Sequence, residues 1–314
     1  MHLVHRIRTL ALGFALLTLS CPLLADTRIV TSLKPLTLLV RAIATDDMQI
    51  STLVPAGASP HNYAMKPSQR RALENADVIF WIGPEMETFL ARLLTGEEFH
   101  DRSVAFMSAP GDAHGTEHNS ASDESDGGHT GHGDHHHDGE DDPHLWLDPT
   151  LAVDMAETIR DVLATMDGAD PQALDRNLDA FRNSLATTEQ SIRHQFEPVR
   201  EVSLFAYHNA LVRFAEHYNL TLSGVLTLNP ELSPGARHIA EIQARLRSSA
   251  RPCLLTEPQF NRQWWRSITE GLDITFSTWD PLATDIEVTA NGYANFQQAI
   301  ADAVLKCLPE KAEH

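Results

Sequence analysis

Short apolar runs rich in β-branched residues recur along the chain and alternate with stretches of helical periodicity. The first set falls at 28–33, 49–54, 78–82 and 104–107, the second at 202–207, 220–226, 253–256 and 274–277. Each run is too short for a helix, and continuous apolar character marks a strand buried on both faces. Strand and helix in alternation predict an α/β fold of mainly parallel sheets flanked by helices. Two sets of runs predict two lobes, a sensible division for 314 residues.

Between the sets lies the longest helical pattern. Asp170-Pro171 puts an N-cap residue ahead of proline at the first helical position. Leu174, Leu178, Phe181, Leu185, Ile192 and Phe196 then recur at helical spacing and make one face apolar. A helix over 171–197 would be roughly 40 Å long at about 1.5 Å per residue, enough to brace both lobes rigidly. The plainer alternative is an ordinary helix inside one domain. The expected division is an amino-terminal lobe at 26–168, a linker at 169–198 and a carboxy-terminal lobe at 199–314.

The first residues change the compartment. His2, His5, Arg6 and Arg8 precede an apolar run, residues 10–19, too short to span a bilayer comfortably, and Leu23-Leu24-Ala25 ends in a small residue. This predicts a signal peptide at 1–25, cleaved after Ala25, and a mature chain in the periplasm. Lipid attachment at Cys21 is the rival reading, opposed by Thr18, where a lipoprotein signal usually carries leucine. Removal of the signal leaves Cys253 and Cys307, an even count in an oxidising compartment, and predicts a disulfide; two separate buried thiols are the alternative.

Residues 111–142 carry ten Asp or Glu and seven His, with no Lys or Arg. Such a segment has almost no apolar surface to offset the cost of ordering its backbone, so it is expected to be a disordered loop. Its imidazoles (His114, His118, His129, His132, His135, His136 and His137) and carboxylates suit divalent transition metals, and predict a secondary, weaker metal-binding region. The formal charge of −19 becomes more negative once Arg6 and Arg8 leave with the signal. That balance argues against nucleic acid or an anionic membrane as partner and suits the collection of cations.

Three histidines and one aspartate stand where a parallel sheet would place ligands, beyond the carboxyl ends of strands. His61 follows the 49–54 run, His208 follows 202–207, and Asp280 follows 274–277; His144 leaves the acidic loop in a proline-bounded segment with Trp146 and Leu147 to anchor it. Two ligands would then belong to each lobe and meet in the cleft between them. Three imidazoles and a carboxylate match tetrahedral zinc. Taken singly, His61 is also an ordinary loop histidine, His208 a helix cap and Asp280 a turn cap. Glu257 ends another run and is expected to orient a ligand imidazole, with Tyr207 and Asn209 in similar supporting positions. His217 lies nine residues after His208, on the opposite helix face, and should not be a ligand. His100, His194 and His238 are expected at the surface, and Trp81, Trp264, Trp265 and Trp279 in packing. No His-Glu-x-x-His helix, Gly-x-Ser-x-Gly elbow or phosphate loop occurs, so an enzyme reading has no motif behind it.

The motifs resemble those of one family across nearly the whole mature chain. Pro55-Ala56-Gly57-Ala58-Ser59-Pro60-His61-Asn62-Tyr63 with Lys66-Pro67-Ser68, Asp142-Pro143-His144-Leu145-Trp146-Leu147-Asp148-Pro149, and Tyr207-His208-Asn209-Ala210 with Tyr218 are the first three. Leu226-Thr227-Leu228-Asn229-Pro230-Glu231 with Pro234-Gly235-Ala236, then Thr256-Glu257-Pro258-Gln259-Phe260 and Asp280-Pro281-Leu282, complete the series. The series is similar to that of the zinc-binding periplasmic components of ABC importers, the ZnuA type within a wider group of metal-binding lipoproteins and adhesin-like receptors. The resemblance implies a cleft-bound Zn(II) that is carried rather than used, with a membrane permease and a cytoplasmic ATPase as partners; the mature chain, with no later apolar run long enough to span a membrane, is expected to be soluble and monomeric. Manganese-type relatives tend to carry a carboxylate at the position of His208 and lack a His-rich loop, which favours zinc. Pro60 departs from members with a glutamate there, leaving Asp280 or a water as fourth ligand. The pair Cys253 and Cys307 matches a disulfide of zinc-type members. A manganese or other divalent-metal receptor and a zinc-dependent hydrolase are the competing readings. Protons compete with metal for imidazole, so affinity is expected to fall as pH drops through the range near 6.5.

Overall fold

The computed structural model describes residues 26–107, 142–227, 235–260 and 268–308. The expected signal peptide with Cys21, the acidic loop with its histidines up to residue 141, residues 228–234 of the motif series, and Trp264 and Trp265 lie outside the described residues.

Every apolar run forms a strand. β1 (Arg28–Thr31), β2 (Gln49–Thr52), β3 (Val78–Trp81) and β4 (Ser103–Ala105) build one parallel sheet in the order β2-β1-β3-β4. β5 (Ser203–His208), β6 (Leu222–Thr227), β7 (Pro252–Thr256) and β8 (Thr275–Thr278) build a second in the order β6-β5-β7-β8. In both, the chain leaves the first strand to one side and returns on the other. The crevice beyond the carboxyl ends at that reversal, between β1 and β3 or β5 and β7, is where such sheets bind ligands.

The helices are α1 (Lys34–Ile43), α2 (Pro67–Glu74), α3 (Thr88–Leu94), α4 (Pro149–Ala164), α5 (Pro171–Gln195), α6 (Leu211–His217), α7 (Ala236–Ser248) and α8 (Gly292–Leu305). Two start at Asp-Pro pairs. Asp148 accepts from the Thr150 amide at 2.7 Å, and Asp170 from those of Gln172 and Ala173 at 3.0 and 3.1 Å, satisfying donors that a helix start leaves unpaired. α5 buries Leu174, Leu178, Phe181, Leu185 and Ile192 on one face. It ends two residues earlier than its periodicity suggests, before a 3-10 turn at Glu197–Glu201, because Pro198 has no amide to continue the ladder.

α5 packs against α1 and α4 on the amino-terminal side and against α8 on the carboxy-terminal side. Phe181 meets Tyr293 of α8 with ring centroids 5.7 Å apart, and Asn177 donates to the Ile43 carbonyl at the end of α1 at 2.8 Å. One core runs through this shared helical layer, while the outer face of each sheet carries a smaller cluster of its own. Cys253 and Cys307 form a disulfide that ties β7 to the end of α8. Among the described residues no helix is long and apolar enough to cross a membrane.

Candidate metal centre

His61 sits in a 3-10 turn, Pro60–Asn62, beyond the end of β2. Gly57, with φ of +78°, turns the chain back toward the cleft, a conformation that favours glycine. The turn is locked from the amino-terminal lobe: Gln69 Nε2 donates to the Leu53 carbonyl and to Tyr63 Oη (2.9 Å), while its Oε1 accepts from the Lys66 amide at 2.7 Å. The -Tyr-x-x-Lys-Pro-Ser-Gln continuation of the first motif is therefore scaffolding for His61.

His208 is the last residue of β5, and Glu257 follows β7 directly across the reversal of the second sheet. Its Nδ1 lies 2.6 Å from Glu257 Oε1, and both side chains are buried. His144 repeats the arrangement: Asp142 Oδ1 accepts from the His144 amide at 3.1 Å and lies 2.6 Å from Nδ1. A carboxylate on Nδ1 fixes the tautomer and leaves Nε2 as the free lone pair, the usual support of a metal-binding imidazole.

The two free nitrogens face each other, His144 Nε2 and His208 Nε2 being 3.3 Å apart. Two nitrogens about 2.0–2.1 Å from one tetrahedral ion stand about 3.3–3.4 Å apart, so the spacing fits a shared zinc. The ring of His61 closes the third side, with centroids 5.5 Å from His144 and 5.9 Å from His208. Ligand atoms of these three, and of no other His/Cys/Asp/Glu group among the described residues, converge within 4.8 Å. The space they enclose, about 20 Å³ and bounded also by Trp146 and Phe260, holds a single ion or water.

Burial, followed by the neighbouring imidazoles of His144 and His208, lowers the pKa of His61 to about 3. Burial also lowers His144, against the opposing pull of Asp142. Both rings are thus neutral at neutral pH and ready to bind. Glu257 Oε2 is buried without a hydrogen-bond partner, and Asp142 Oδ2, also without one, faces Arg213 Nε at 3.6 Å.

Asp280 does not join the three. Its Oδ1 accepts from Gln259 Nε2 at 2.6 Å and from the Leu282 amide at 2.9 Å, and its Oδ2 accepts from the Thr284 amide at 2.7 Å. A short carboxylate ahead of Pro281 captures backbone amides of its own turn. Tyr207 alternates with His208 along β5 and so faces the outer cluster, stacking on Phe260 at 5.0 Å; Phe260 in turn edges His208 at 5.6 Å. The Asn209 carbonyl accepts from the Val212 amide at the start of α6.

His217 lies away from the metal cluster, between Asp148 (3.2 Å) and Glu189 (2.5 Å). Burial opposes its proton, but hydrogen bonds to Asp148 and Glu189 outweigh that, and its pKa is raised. His100 and His194 are exposed, as expected; His238 is half-buried and donates to the Leu226 carbonyl at 3.0 Å, so it is no simple surface residue. Trp81 and Trp279 are buried. Two contributors escaped the sequence reading. Asp142 had a signal, its i,i+2 spacing to His144, whereas Arg213, which donates to the Asp142 carbonyl at 2.9 Å, had none.

The His144 segment also bonds to the carboxy-terminal side. Residues 142–148 precede α4, yet Trp146 Nε1 donates to the Pro281 carbonyl at 2.8 Å, and Tyr293 Oη donates to the Trp146 carbonyl at 2.9 Å. The segment that carries His144 thus runs into α4, which packs on α1, while bonding across to the carboxy-terminal side.

The profile of the periplasmic zinc-uptake complex component A family, ZnuA, matches residues 29–307. The chain belongs to this family. A high-affinity zinc uptake system protein ZnuA of Yersinia pestis is 33% identical over 294 residues, covering 91% of this chain and 92% of its own. That of Haemophilus influenzae is 27% identical, covering 92% and 95%. A crystal structure of ZnuA superposes with a TM-score of 0.66 at 23% identity, over 89% of this chain and 99% of that one. TroA, a periplasmic zinc-binding protein of Treponema pallidum, gives 0.66 at 17% over 89% and 99%. FpvC of Pseudomonas aeruginosa, in complex with Mn2+, gives 0.69 at 16% over 91% and 100%. The ZnuA relatives are transport components that bind a substrate, and the solved structures share the two-lobed fold.

Proposed function

We propose that this protein captures one Zn(II) in the periplasm on His61, His144 and His208 and delivers it to the membrane permease of an ATP-driven zinc importer. The observation that carries the reading is the convergence of three imidazoles, two of them oriented by buried carboxylates, around a space the size of one ion. Nitrogen donors favour zinc over manganese, which prefers oxygen. A water completes the tetrahedron, and Asp280 shapes the adjoining turn rather than touching the metal. The ion is cargo, not a catalyst, a reading that the zinc-uptake role named for the ZnuA relatives supports. The protein works as a soluble monomer of two lobes joined by α5, and the His-rich loop supplies weaker, additional sites whose ordering cost the preformed centre avoids.

Competition titration against a chromophoric zinc chelator tests this. The intact protein should hold one tight zinc equivalent that manganese does not displace. His61→Ala or His208→Ala should weaken it by orders of magnitude, whereas deletion of residues 114–138 should remove only the weaker equivalents. An equal loss of the tight equivalent on loop deletion would move the principal site into the loop.

A further inference from the structure

Two residues one turn apart on α6 grip the two acidic ends of the segment that carries His144. Arg213 directs Nε, at 2.9 Å, and Nη2 to the Asp142 carbonyl, and its Nε lies 3.6 Å from Asp142 Oδ2. His217 places Nδ1 3.2 Å from Asp148 Oδ1 and 3.4 Å from Thr150 Oγ1. Residues four apart share a helix face, so the 213/217 spacing matches the two ends of the 142–148 segment. α6 begins three residues after His208. The helix that follows one ligand thus clasps the segment that carries another.

The remaining attachments agree. On its other side the segment hangs from the Pro281 carbonyl and Tyr293, both on the carboxy-terminal side. His61 is held by Tyr63, Gln69 and Leu53 of the amino-terminal lobe, and its ring is the least buried of the three. Neither Asp142 nor Glu257 is placed to hold it.

We infer that Arg213 and His217 are positioning residues: they dock the His144 segment on the carboxy-terminal lobe, so that His144 and His208 stand as a two-imidazole half-site that His61 completes from the amino-terminal lobe. The inference rests on the zinc-capture reading above. Arg213 acts through Asp142, whose other carboxylate oxygen aims His144 Nε2 at the ion. Supporting groups must hold a metal ligand to within about 0.5 Å, and two-point docking supplies that constraint.

The test uses the mature full-length chain, with stopped-flow transfer of zinc to a chelator and visible absorption of the cobalt(II) form. Arg213→Gln should speed zinc loss at least tenfold and shift the cobalt bands, and His217→Gln should do so more weakly. Arg213→Lys should fall between wild type and Gln, since one ammonium reaches the carbonyl but cannot fork. His61→Ala should keep one weakened cobalt equivalent on two imidazoles, and His61→Ala/Arg213→Gln should lose it. Urea unfolding of each apo form reports its fold; if Arg213→Gln does not fold, Arg213→Lys decides by the same readouts. Wild-type rates and spectra in the Arg213 variants, or His61→Ala abolishing cobalt binding as fully as His208→Ala, would overturn the inference. Failure of the wild type to hold a tight zinc equivalent would instead sink the zinc reading itself.

Discussion

Acidification from pH 7.5 to 5.5 separates this centre from three ordinary imidazoles. An imidazole with a pKa near 6.5 drops from about 90% to about 9% neutral over that interval, a roughly tenfold handicap in metal binding, so three independent ones would lose about a thousandfold. His61, held at about 3, is neutral at both ends and contributes no handicap. His144 is lowered as well, so it contributes less than a full tenfold. With the His61 handicap removed and that of His144 reduced, the loss stays well short of a thousandfold, and fewer than three protons leave on binding at pH 5.5. The fall expected from sequence therefore survives with a shallower slope. The same shift costs the apo protein stability. Unfolded His61 takes up a proton near 6.5 that the folded ring refuses until about 3, so stability is lost as pH falls through that window. Calorimetric zinc titrations in buffers of different ionisation enthalpy count the released protons directly. A thousandfold weakening with close to three protons released would refute the buried, pre-deprotonated site.

Three further outcomes are expected. Replacing both Cys253 and Cys307 by serine opens a loop closed across a separation of 54 residues, and chain entropy puts the loss at about 4 kcal/mol at 25 °C, measurable by urea unfolding of the apo protein. Glu257→Gln, which leaves His208 in place but removes the charge behind it, should lower zinc affinity about 10- to 100-fold in chelator competition with little change in apo stability. The raised pKa of His217 makes its bridge to Asp148 and Glu189 strongest when protonated. Its contribution is complete below the unfolded value of 6.5 and fades as pH rises through the higher folded value, so the urea-stability gap between wild type and His217→Gln should narrow with rising pH.

The strands were legible because both sheets are parallel and covered, which turns each strand into a continuous apolar run such as Val78–Trp81. α5 was legible from Asp170-Pro171 and its apolar stripe, and its early end from Pro198. His61, His144 and His208 could be found because each stands alone at the end of such a run or in a proline-bounded turn. Asp280 shared that placement, yet the sequence could not rank ligation against capture of the Leu282 and Thr284 amides, since the choice depends on how its turn closes. Tyr207 was assigned to the site although strand alternation places it opposite His208, a reading the period of two already allowed. Arg213 and the docking of 142–148 had no signal at all. A bond from a helical arginine to a carbonyl 71 residues away follows from how the elements pack and leaves no pattern along the chain.

In the proposed centre, three imidazoles from both sides of the cleft share one zinc. Zinc-edge X-ray absorption of the stoichiometrically loaded mature protein, with and without residues 114–138, tests it most directly. Both forms should give the same spectrum: four-coordinate zinc with three imidazole nitrogens and one oxygen at about 2.0–2.1 Å. A spectrum that changes on loop deletion, or one dominated by carboxylate oxygen, would contradict it.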